Sequence, residues 1–367
     1  MKFAKKISVL AITGVVALSA LTGCGSSEDK KEAAKEDYKI KVGYYNCDHM
    51  TAAPVAEEAG IYKNNGLDVT TVGNGKVPEA MAAGQMDAGY IGTKGLMAAE
   101  TKGSPIVIAA NNHLGGSEYL VVSNDIKENK DLLGKKIAAD PSEELLWKTD
   151  FGPETGLPAD SSKYEVVNMD SDKDKYLALK SGQIKGFTTC DPWGSMAEYE
   201  KTGKIISSTQ YYEKSTGKAG NCCSFSLNKN FIKEHPELAK KLVKSHTEAI
   251  EYIYTNPVKS AKIFAKAYSV PDEVAMMTIY KKTCGEGRTL TWKIQDEYKN
   301  NIEMYKEQKA LDEIPKYEDV VNESILKESG VDDFDKFIKE KVDPIFPKGM
   351  NYDDWKKKAE EVDEKLN

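Results

Sequence analysis

The sequence predicts an α/β protein with largely parallel sheets, and three observations indicate this class. From residue 39 onward, short apolar or β-branched runs alternate with longer helical patterns. Glycine or a cluster of polar residues separates most of these segments. After residue 231 the alternation ends and four amphipathic helical patterns follow. With 367 residues, the chain is long enough for two packed domains.

Strands are predicted where apolar or β-branched residues stand together between turn-forming residues. In chain order they cover residues 40–45, 67–72, 88–91, 106–110, 119–123, 136–139, 164–168, 186–189, 205–208 and 223–227. Helices are predicted where apolar residues recur every three or four positions. They cover residues 52–63, 77–83, 96–102, 143–148, 173–181, 236–254, 257–268, 272–282 and 294–308. The charged stretch 309–367, with scattered aromatic residues, predicts further helices.

The charge balance excludes nucleic acid as the main partner. The 51 basic and 58 acidic residues give a net charge of -7, whereas phosphate backbones favour clustered positive charge. Arg288 is the only arginine, so the other 50 basic residues are lysines. A bound anion must therefore be held by backbone amides, hydroxyls or a lysine rather than by a guanidinium clamp.

The N-terminus predicts export and lipid anchoring. Three lysines precede an apolar run at residues 7–21, and the run ends in Leu-Thr-Gly-Cys at residues 21–24. This pattern is typical of a cleaved signal peptide, residues 1–23, followed by a lipid-modified cysteine, Cys24. The polar residues 24–37 then form a flexible tether, and the mature protein lies outside the cytoplasmic membrane. The alternative is an uncleaved anchor helix.

Two crossing strands divide the remaining chain into two lobes. Residues 38–120 plus 226–367 form lobe 1, and residues 121–225 form lobe 2, inserted between the strands that begin near 119 and 223. A cleft between two such lobes would lie at the carboxyl ends of strands and beside helix N-termini. That is where ligands of open α/β sheets bind.

Four short motifs in fixed order resemble a known family. Residues 42–49 and 56–62 look like the opening of the nitrate, sulfonate, taurine and thiamine-precursor group of substrate-binding proteins, and residues 86–92 and 134–138 resemble their next two signatures. The similarity extends over about residues 38–255. It implies a type II periplasmic-binding-protein fold, with two lobes joined by a two-strand hinge, that delivers a solute to an ABC permease and its ATPase.

The first group of candidate ligand-binding residues follows strands of lobe 1. The segment from Cys47 to Thr51 would cap the next helix and expose its N–H groups to ligand. Gly92 and Thr93 supply open backbone and a hydroxyl, and Lys94 supplies a countercharge. Lysines are abundant here, so a solvated surface role for Lys94 is the alternative.

A second group lies near the crossing into lobe 2. Gly115 and Gly116 permit close approach of a ligand to the backbone, or they form a plain turn. Ser142 and Glu143 begin a predicted helix, at a point where related proteins have a serine or threonine cluster.

Asp191 and Trp193 resemble an acidic residue, proline and aromatic segment that closes over ligand in several relatives. Asp191 suits an amine, and Trp193 could cover the solute. Because Lys94 and helix N-termini suit a sulfonate, the pair predicts a zwitterion such as taurine. The alternative is an N-cap turn with the tryptophan in the core.

Cys222 and Cys223 open the run Cys-Cys-Ser-Phe-Ser. This run resembles the cysteine-rich motif of the thiamine-pyrimidine synthase, an iron-dependent enzyme on the same fold, and His49 lies where that enzyme has its sacrificial histidine. Serines replace two of its cysteines, and Tyr45 replaces its cofactor-binding lysine. The resemblance therefore implies an inherited scaffold without the enzyme's chemistry.

The cysteines leave a metal alternative open. Cys47, Cys190, Cys222 and Cys223 all follow strands or crossings and could converge on a soft metal ion or a sulfur compound. There is no C-x-x-C pair with metal-ligand spacing, so no metal site and no cofactor are predicted.

These patterns together predict a monomeric, lipid-anchored, extracytoplasmic solute-binding receptor, not an enzyme. Its expected ligand is a small polar sulfur-containing solute of the sulfonate or taurine type. Two alternatives remain: binding of a thiamine-pyrimidine precursor, and a metal- or thiolate-dependent enzyme related to the pyrimidine synthase.

Overall fold

The fold was analysed in a computed structural model. It describes residues 37–45, 47–73, 76–115, 118–144, 146–208, 220–294, 297–307, 309 and 311–366. The predicted signal peptide, the lipidation site Cys24, nearly all of the tether and the candidate Gly116 lie outside these residues. In the described part, no helix combines the length and the apolar character needed to cross a membrane.

Within these residues, ten strands form two mixed sheets of five. The strands are β1 Lys39–Tyr44, β2 Asp68–Gly73, β3 Ala88–Gly92, β4 Ile106–Leu114, β5 Glu118–Ser123, β6 Lys136–Ala138, β7 Glu165–Val166, β8 Gly186–Cys190, β9 Gly203–Ser208 and β10 Asn221–Asn228. The first sheet has the order β2-β1-β3-β10-β4 and the second the order β7-β6-β8-β5-β9. Every strand predicted from the sequence is present.

The sheets are mixed rather than largely parallel, and the crossing strands are the reason. β1 runs parallel to β2 and β3, and β6 runs parallel to β7 and β8. β10 is antiparallel to both of its neighbours in the first sheet, and β5 is antiparallel to both of its neighbours in the second. A strand that enters a sheet from the other sheet arrives from the opposite end, which reverses its direction.

Sixteen α-helices lie among the described residues. They are α1 Ala52–Glu58, α2 Ile61–Asn64, α3 Val77–Ala82, α4 Thr93–Glu100, α5 Gly152–Thr155, α6 Asp172–Lys180, α7 Trp193–Tyr199, α8 Lys229–Glu234, α9 Pro236–Thr255, α10 Pro257–Tyr268, α11 Asp272–Tyr280, α12 Glu297–Glu307, α13 Tyr317–Val320, α14 Glu323–Glu328, α15 Phe334–Phe337 and α16 Tyr352–Leu366. Short 3-10 helices cover Asp48–Met50, Asn129–Leu132 and Ser161–Lys163, and π-helical turns cover Trp147–Phe151, Lys281–Gly285 and Ile338–Val342.

Two helix predictions differ from the structure. The pattern at 52–63 is split into α1 and α2 because Gly60 adopts φ 72°, a left-handed conformation that ends the first helix. The helix predicted at 143–148 is wrong: the chain makes a turn stabilised by Asp140, and the π-helical turn begins only at Trp147. The carboxylate of Asp140 accepts the backbone N–H of Ser142, an alternative to helical hydrogen bonding.

Apolar side chains fill the space between each sheet and its helices. α9 shows the principle: Leu238, Leu242, Ala249 and Ile253 recur at helical spacing and are all buried against the first sheet. Separate clusters pack on the second sheet around Trp147 and Phe187. Sheet membership changes between residues 114 and 118 and between 208 and 221. The lobe boundaries at 120 and 225 stay a prediction.

Candidate ligand-binding site

A cluster of buried imidazole and thiol groups lies where β1 and β4 end and β10 begins. The rings of His49 and His113 stack with centroids 4.5 Å apart, and both residues are buried. The His49 Nδ1 atom lies 3.5 Å from the sulfur of Cys222 and 3.5 Å from that of Cys223. The two sulfurs are 3.2 Å apart. We call these four residues the His–Cys cluster.

An irregular strand register brings the cluster together. Opposite β4, Asn221 pairs with Leu114, Cys223 with His113 and Ser224 with Asn111, so Cys222 in β10 has no opposite residue. Consecutive side chains of a regular strand point to opposite faces, but an extra residue re-aims them and bends the strand. This bulge accounts for two consecutive cysteines contacting the same histidine.

The electrostatic environment gives the two imidazoles different pKa values. Burial alone would lower the pKa of His49, but the Asp48 carboxylate, followed by the nearby thiols, raises it well above its usual value. The His49 Nε2 atom lies 3.5 Å from an Asp48 oxygen. Burial, with a smaller effect from the charge on His49, lowers the pKa of His113 to about 4. At neutral pH His49 is therefore the charged ring and His113 the neutral one.

The two thiols also differ. The hydrogen bond with Cys223 lowers the pKa of Cys222 well below its usual value, against the opposing effect of burial, and the charge on His49 acts in the same direction. The same hydrogen bond, together with burial, raises the pKa of Cys223. Cys222 is half-buried, whereas Cys223 is 3% exposed. The more accessible thiol is thus the more acidic one.

A buried charge bridge supports the cluster from the side of α11. Lys282 is fully buried, with its Nζ atom 3.2 Å from Asp48 Oδ2 and 2.8 Å from Glu286 Oε2. The Tyr119 hydroxyl donates to the other Glu286 oxygen at 2.9 Å. Asp48 follows a strand of the first sheet and Tyr119 belongs to the second, so the Lys282–Glu286 pair links groups from both sheets.

A second polar contact joins the sheets at Asp191. This fully buried carboxylate accepts the backbone N–H of Ser195 at 2.9 Å and its hydroxyl at 2.8 Å, and Lys281 Nζ lies 3.5 Å away. The Asp48 N–H donates to the Asp191 carbonyl at 3.1 Å. In this conformation protein groups engage the Asp191 carboxylate, and its predicted role toward an amine stays a prediction.

Some candidates predicted from the sequence lie at or beside the His–Cys cluster. His49, Cys222 and Cys223 belong to it, Cys47 immediately precedes the Asp48–Met50 turn, and Gly92 lies opposite Cys223 in the sheet. Thr51 is buried and donates its hydroxyl to the Asp48 carbonyl. Thr93 begins α4 and is fully buried. Gly115 has a φ of 71° and donates its N–H to the Gly220 carbonyl at 2.8 Å.

Other candidates lie elsewhere. Lys94 is exposed and lines an outer groove with Leu311 and Glu313. Ser142 exchanges hydrogen bonds with Ser161.

The last two candidates are Glu143 and Trp193. Glu143 is exposed. The half-buried Trp193 stacks on Tyr176 with ring centroids 5.7 Å apart. This arrangement is close to the alternative in which the tryptophan packs in the core.

Three buried polar groups near the strand ends lack a hydrogen-bond partner within the described part of the chain. They are both ring nitrogens of His113, the Thr93 hydroxyl and the Asn221 side-chain amide nitrogen. Buried polar groups are nearly always hydrogen-bonded, and an unmet group costs about 1–3 kcal/mol. A polar ligand that accepts or donates hydrogen bonds here would remove that cost.

Sequence reasoning missed the residues that carry the buried charge. The notable ones are Asp48, Lys282 and Glu286. A lysine at a buried position of the pattern 272–282 was the available signal, but its partner Asp48 is distant in sequence. Arg288, whose role the sequence left open, pairs with Asp343 at 2.7 Å and with the carbonyls of Thr283 and Phe346.

The cluster also offers donors to a soft or borderline metal ion. One donor atom each from His49, His113 and Cys222 lies within 4.8 Å of the others, and a second set comprises Cys47, Asp48 and His49. Nitrogen and sulfur donors of this kind fit zinc or iron(II), so the residues present are compatible with the iron of the pyrimidine synthase. When bound, such an ion would supply Lewis-acid or redox chemistry. The described cysteines outside the cluster are also free thiols: Cys47, Cys190 and Cys284.

Comparison with known proteins identifies the family. The sequence profile of the NMT1-like family matches residues 33–268. The chain belongs to the NMT1-like family. A protein of Brucella abortus described only as a binding protein is 27% identical over 269 residues, covering 71% of this chain and 79% of the relative. The taurine-binding periplasmic protein of Escherichia coli is 27% identical over 185 residues, covering 49% and 55%.

Solved structures show the same fold. The alkanesulfonate-binding protein SsuA of Xanthomonas axonopodis, bound to MOPS, matches with a TM-score of 0.61 and 15% identity, covering 77% of this chain and 98% of that protein. The NMT1-like chain thus has the fold of solute-binding components of ABC import systems, as the sequence predicted. The chain is also similar to an enzyme: the 4-amino-5-hydroxymethyl-2-methylpyrimidine phosphate synthase THI11 of Saccharomyces cerevisiae is 24% identical over 220 residues, covering 57% of this chain and 64% of the enzyme.

Proposed function

We propose that this chain is the lipid-anchored, extracytoplasmic solute receptor of an ABC importer, and that it binds a small sulfonate or taurine-like solute. Family membership and fold support the receptor role. The single observation that carries the proposal is the set of unpartnered buried polar groups at strand ends of the first sheet. A ligand bound there would be held by groups of the first sheet, and closure of the chain around it would stabilise the form that a permease recognises.

The chemistry of the site supports an anionic or zwitterionic ligand. His49 carries positive charge, and the Thr93 hydroxyl, the Asn221 amide and a ring N–H of His113 can each donate a hydrogen bond. A sulfonate accepts several hydrogen bonds and carries one negative charge, which matches this set. The taurine-binding relative and the alkanesulfonate-binding neighbour point to the same class. In this proposal the countercharge is His49, not Lys94.

Isothermal titration with taurine, ethanesulfonate, nitrate, bicarbonate and a thiamine pyrimidine tests the ligand class. We expect saturable binding of one sulfonate and no binding of nitrate or bicarbonate. A Thr93→Val variant keeps the side-chain shape and removes the hydroxyl, and it should weaken binding about tenfold. Lys94→Met is the matched control and should bind as the wild type does. Loss of binding in Lys94→Met with none in Thr93→Val would contradict the proposed location.

The yeast enzyme relative favours one alternative function, binding or synthesis of a thiamine pyrimidine. The stacked pair His49 and His113 presents flat rings of the kind that stack on a heteroaromatic base. Saturable binding of the pyrimidine alone would favour the thiamine branch. Stoichiometric iron after anaerobic purification, with turnover lost in Cys222→Ser, would favour the enzyme.

A further inference from the structure

The contact between the sulfurs of Cys222 and Cys223 is unusual for adjacent residues of a strand. Their 3.2 Å separation is close, but the thiols are not bonded to each other. The bulge in β10 produces the contact, because a regular strand would direct the two side chains to opposite faces. Among the described cysteines, this is the only pair with sulfurs at hydrogen-bonding distance.

The surroundings give the two thiols different roles. Cys222 is half-buried and can meet a small solute, whereas Cys223 is 3% exposed and can meet little besides Cys222. His49 Nδ1 lies 3.5 Å from each sulfur, so the charged ring can donate a proton to a leaving thiolate and, once neutral, accept one from Cys223. An accessible attacking thiol, a sheltered resolving thiol and a shared base are the components that thiol–disulfide exchange requires.

We propose that Cys222 and Cys223 are a redox-active vicinal dithiol that reduces low-molecular-weight disulfides. The Cys222 thiolate attacks one sulfur of the small disulfide; a new bond forms to Cys222 Sγ, the disulfide bond breaks, and the first thiolate leaves with the proton of the charged His49 ring, which becomes neutral. Cys223 then gives its proton to His49 and attacks Cys222 Sγ, and the second thiol leaves with that proton. The protein loses two electrons and two protons, and the small disulfide becomes two thiols.

This chemistry goes beyond solute reception and does not depend on which solute binds. Oxidation would join the two sulfurs into a bridge between adjacent residues, which an excess of thiol opens again by the same exchange. It would also remove both thiols from the environment of His49. The same site would therefore exist in two covalent states.

Cystamine is the probe that tests the proposal. The reduced protein is mixed with cystamine under argon, quenched with acid, alkylated and mapped by mass spectrometry. We expect a transient adduct on Cys222, then a peptide carrying both cysteines that has lost two hydrogen atoms, with two cysteamine molecules released per chain.

Three variants separate the steps. Cys223→Ser should retain the adduct on Cys222, and Cys222→Ser should form neither adduct nor bridge. Cys284→Ser is the control, because the Cys284 thiol is buried and donates to the Pro347 carbonyl. This variant should react as the wild type does. His49→Gln should slow the release of the second cysteamine about a hundredfold without preventing the first adduct.

Specific outcomes overturn the proposal. Reaction of Cys222 at the rate of the same chain unfolded in urea, or a disulfide that joins Cys222 to Cys47 or Cys190, would each do so. Thermal melting of every variant shows whether it is folded, and an unfolded Cys222→Ser leaves Cys223→Ser as the deciding sample. Because the readout is thiol chemistry, a failure here leaves the sulfonate titrations unaffected.

Discussion

Replacing Lys282 with methionine tests whether the buried charge bridge stabilises the fold. At an effective dielectric constant of about 20, the attraction of Nζ to Asp48 across 3.2 Å and to Glu286 across 2.8 Å is about 5 and about 6 kcal/mol. Desolvation of three buried charges offsets much of this. Methionine fills similar volume but removes the buried cation that Asp48 and Glu286 share, so the free energy of unfolding should fall by about 3–5 kcal/mol.

The assay is urea unfolding of the purified protein at pH 7, followed by circular dichroism. Lys240→Met is the matched control, because Lys240 pairs with Glu237 at 3.0 Å on the exposed side of α9. That variant should unfold at nearly the same urea concentration as the wild type, because exposed ion pairs contribute little to stability. Equal losses in the two variants would refute the reasoning.

The pH dependence of the Lys282→Met variant adds an independent check. In the wild type the salt bridge to Lys282, against the opposing effect of burial, lowers the pKa of Glu286 to about 2. The stabilisation from Glu286 is therefore complete above its unfolded pKa near 4.5 and is lost as the pH falls toward about 2. The variant lacks this term, so its deficit relative to wild type should shrink in acid.

Three further predictions concern single positions. Burial, followed by neighbouring carboxylates, raises the pKa of Glu251 from 4.5 to about 7, so ionisation of Glu251 destabilises the fold as the pH rises through that window. The Glu251→Gln variant should therefore melt at a higher temperature than the wild type at about pH 8 but not at about pH 4. Parallel melting profiles of the two proteins would contradict this. In Gly89→Ala the new Cβ would lie 2.4 Å from Val77, so the free energy of unfolding should fall by about 1–3 kcal/mol. In Gly95→Ala the new Cβ, in α4, meets nothing within 4 Å, so the free energy of unfolding measured in urea should rise by about 0.5–1 kcal/mol. Asp191→Asn should lose about 1–3 kcal/mol in the same assay, because the carboxylate bonds are weakened; an unchanged midpoint with altered ligand binding would instead favour the amine-binding role.

The strands were predictable because their signal is local. β4 shows this: its first eight residues are all buried, and the apolar run at 106–110 marks the strand without knowledge of its partners. Pairing direction was not predictable in this way, because it depends on the sheet from which the chain arrives. The turn after Asp140 was missed for a related reason: the glutamates that follow favour a helix, but an aspartate hydrogen bond outweighs that preference.

The candidate site was predicted where chain position alone decides it. His49 and the two adjacent cysteines follow or begin strands, so the fold brings them to one sheet edge. Lys94 shows the limit: it follows Thr93 directly, but the first turn of a helix directs successive side chains about 100° apart. Thr93 therefore points inward and Lys94 outward. The charge bridge from Lys282 was predictable only in part: Glu286 is four residues away, but Asp48 lies in a distant segment that nothing local identifies.

The position of β10 between β3 and β4 also orders events during folding. All strands of the second sheet lie within residues 118–208, so that sheet can pair completely as soon as this segment has been synthesised. β4 has no partner among the described strands until residues 221–228 emerge. A nascent chain that ends at residue 220 would hold a finished second sheet and a first sheet with open edges at β3 and β4. Such edges pair with other chains, so this intermediate is the species that a chaperone must protect.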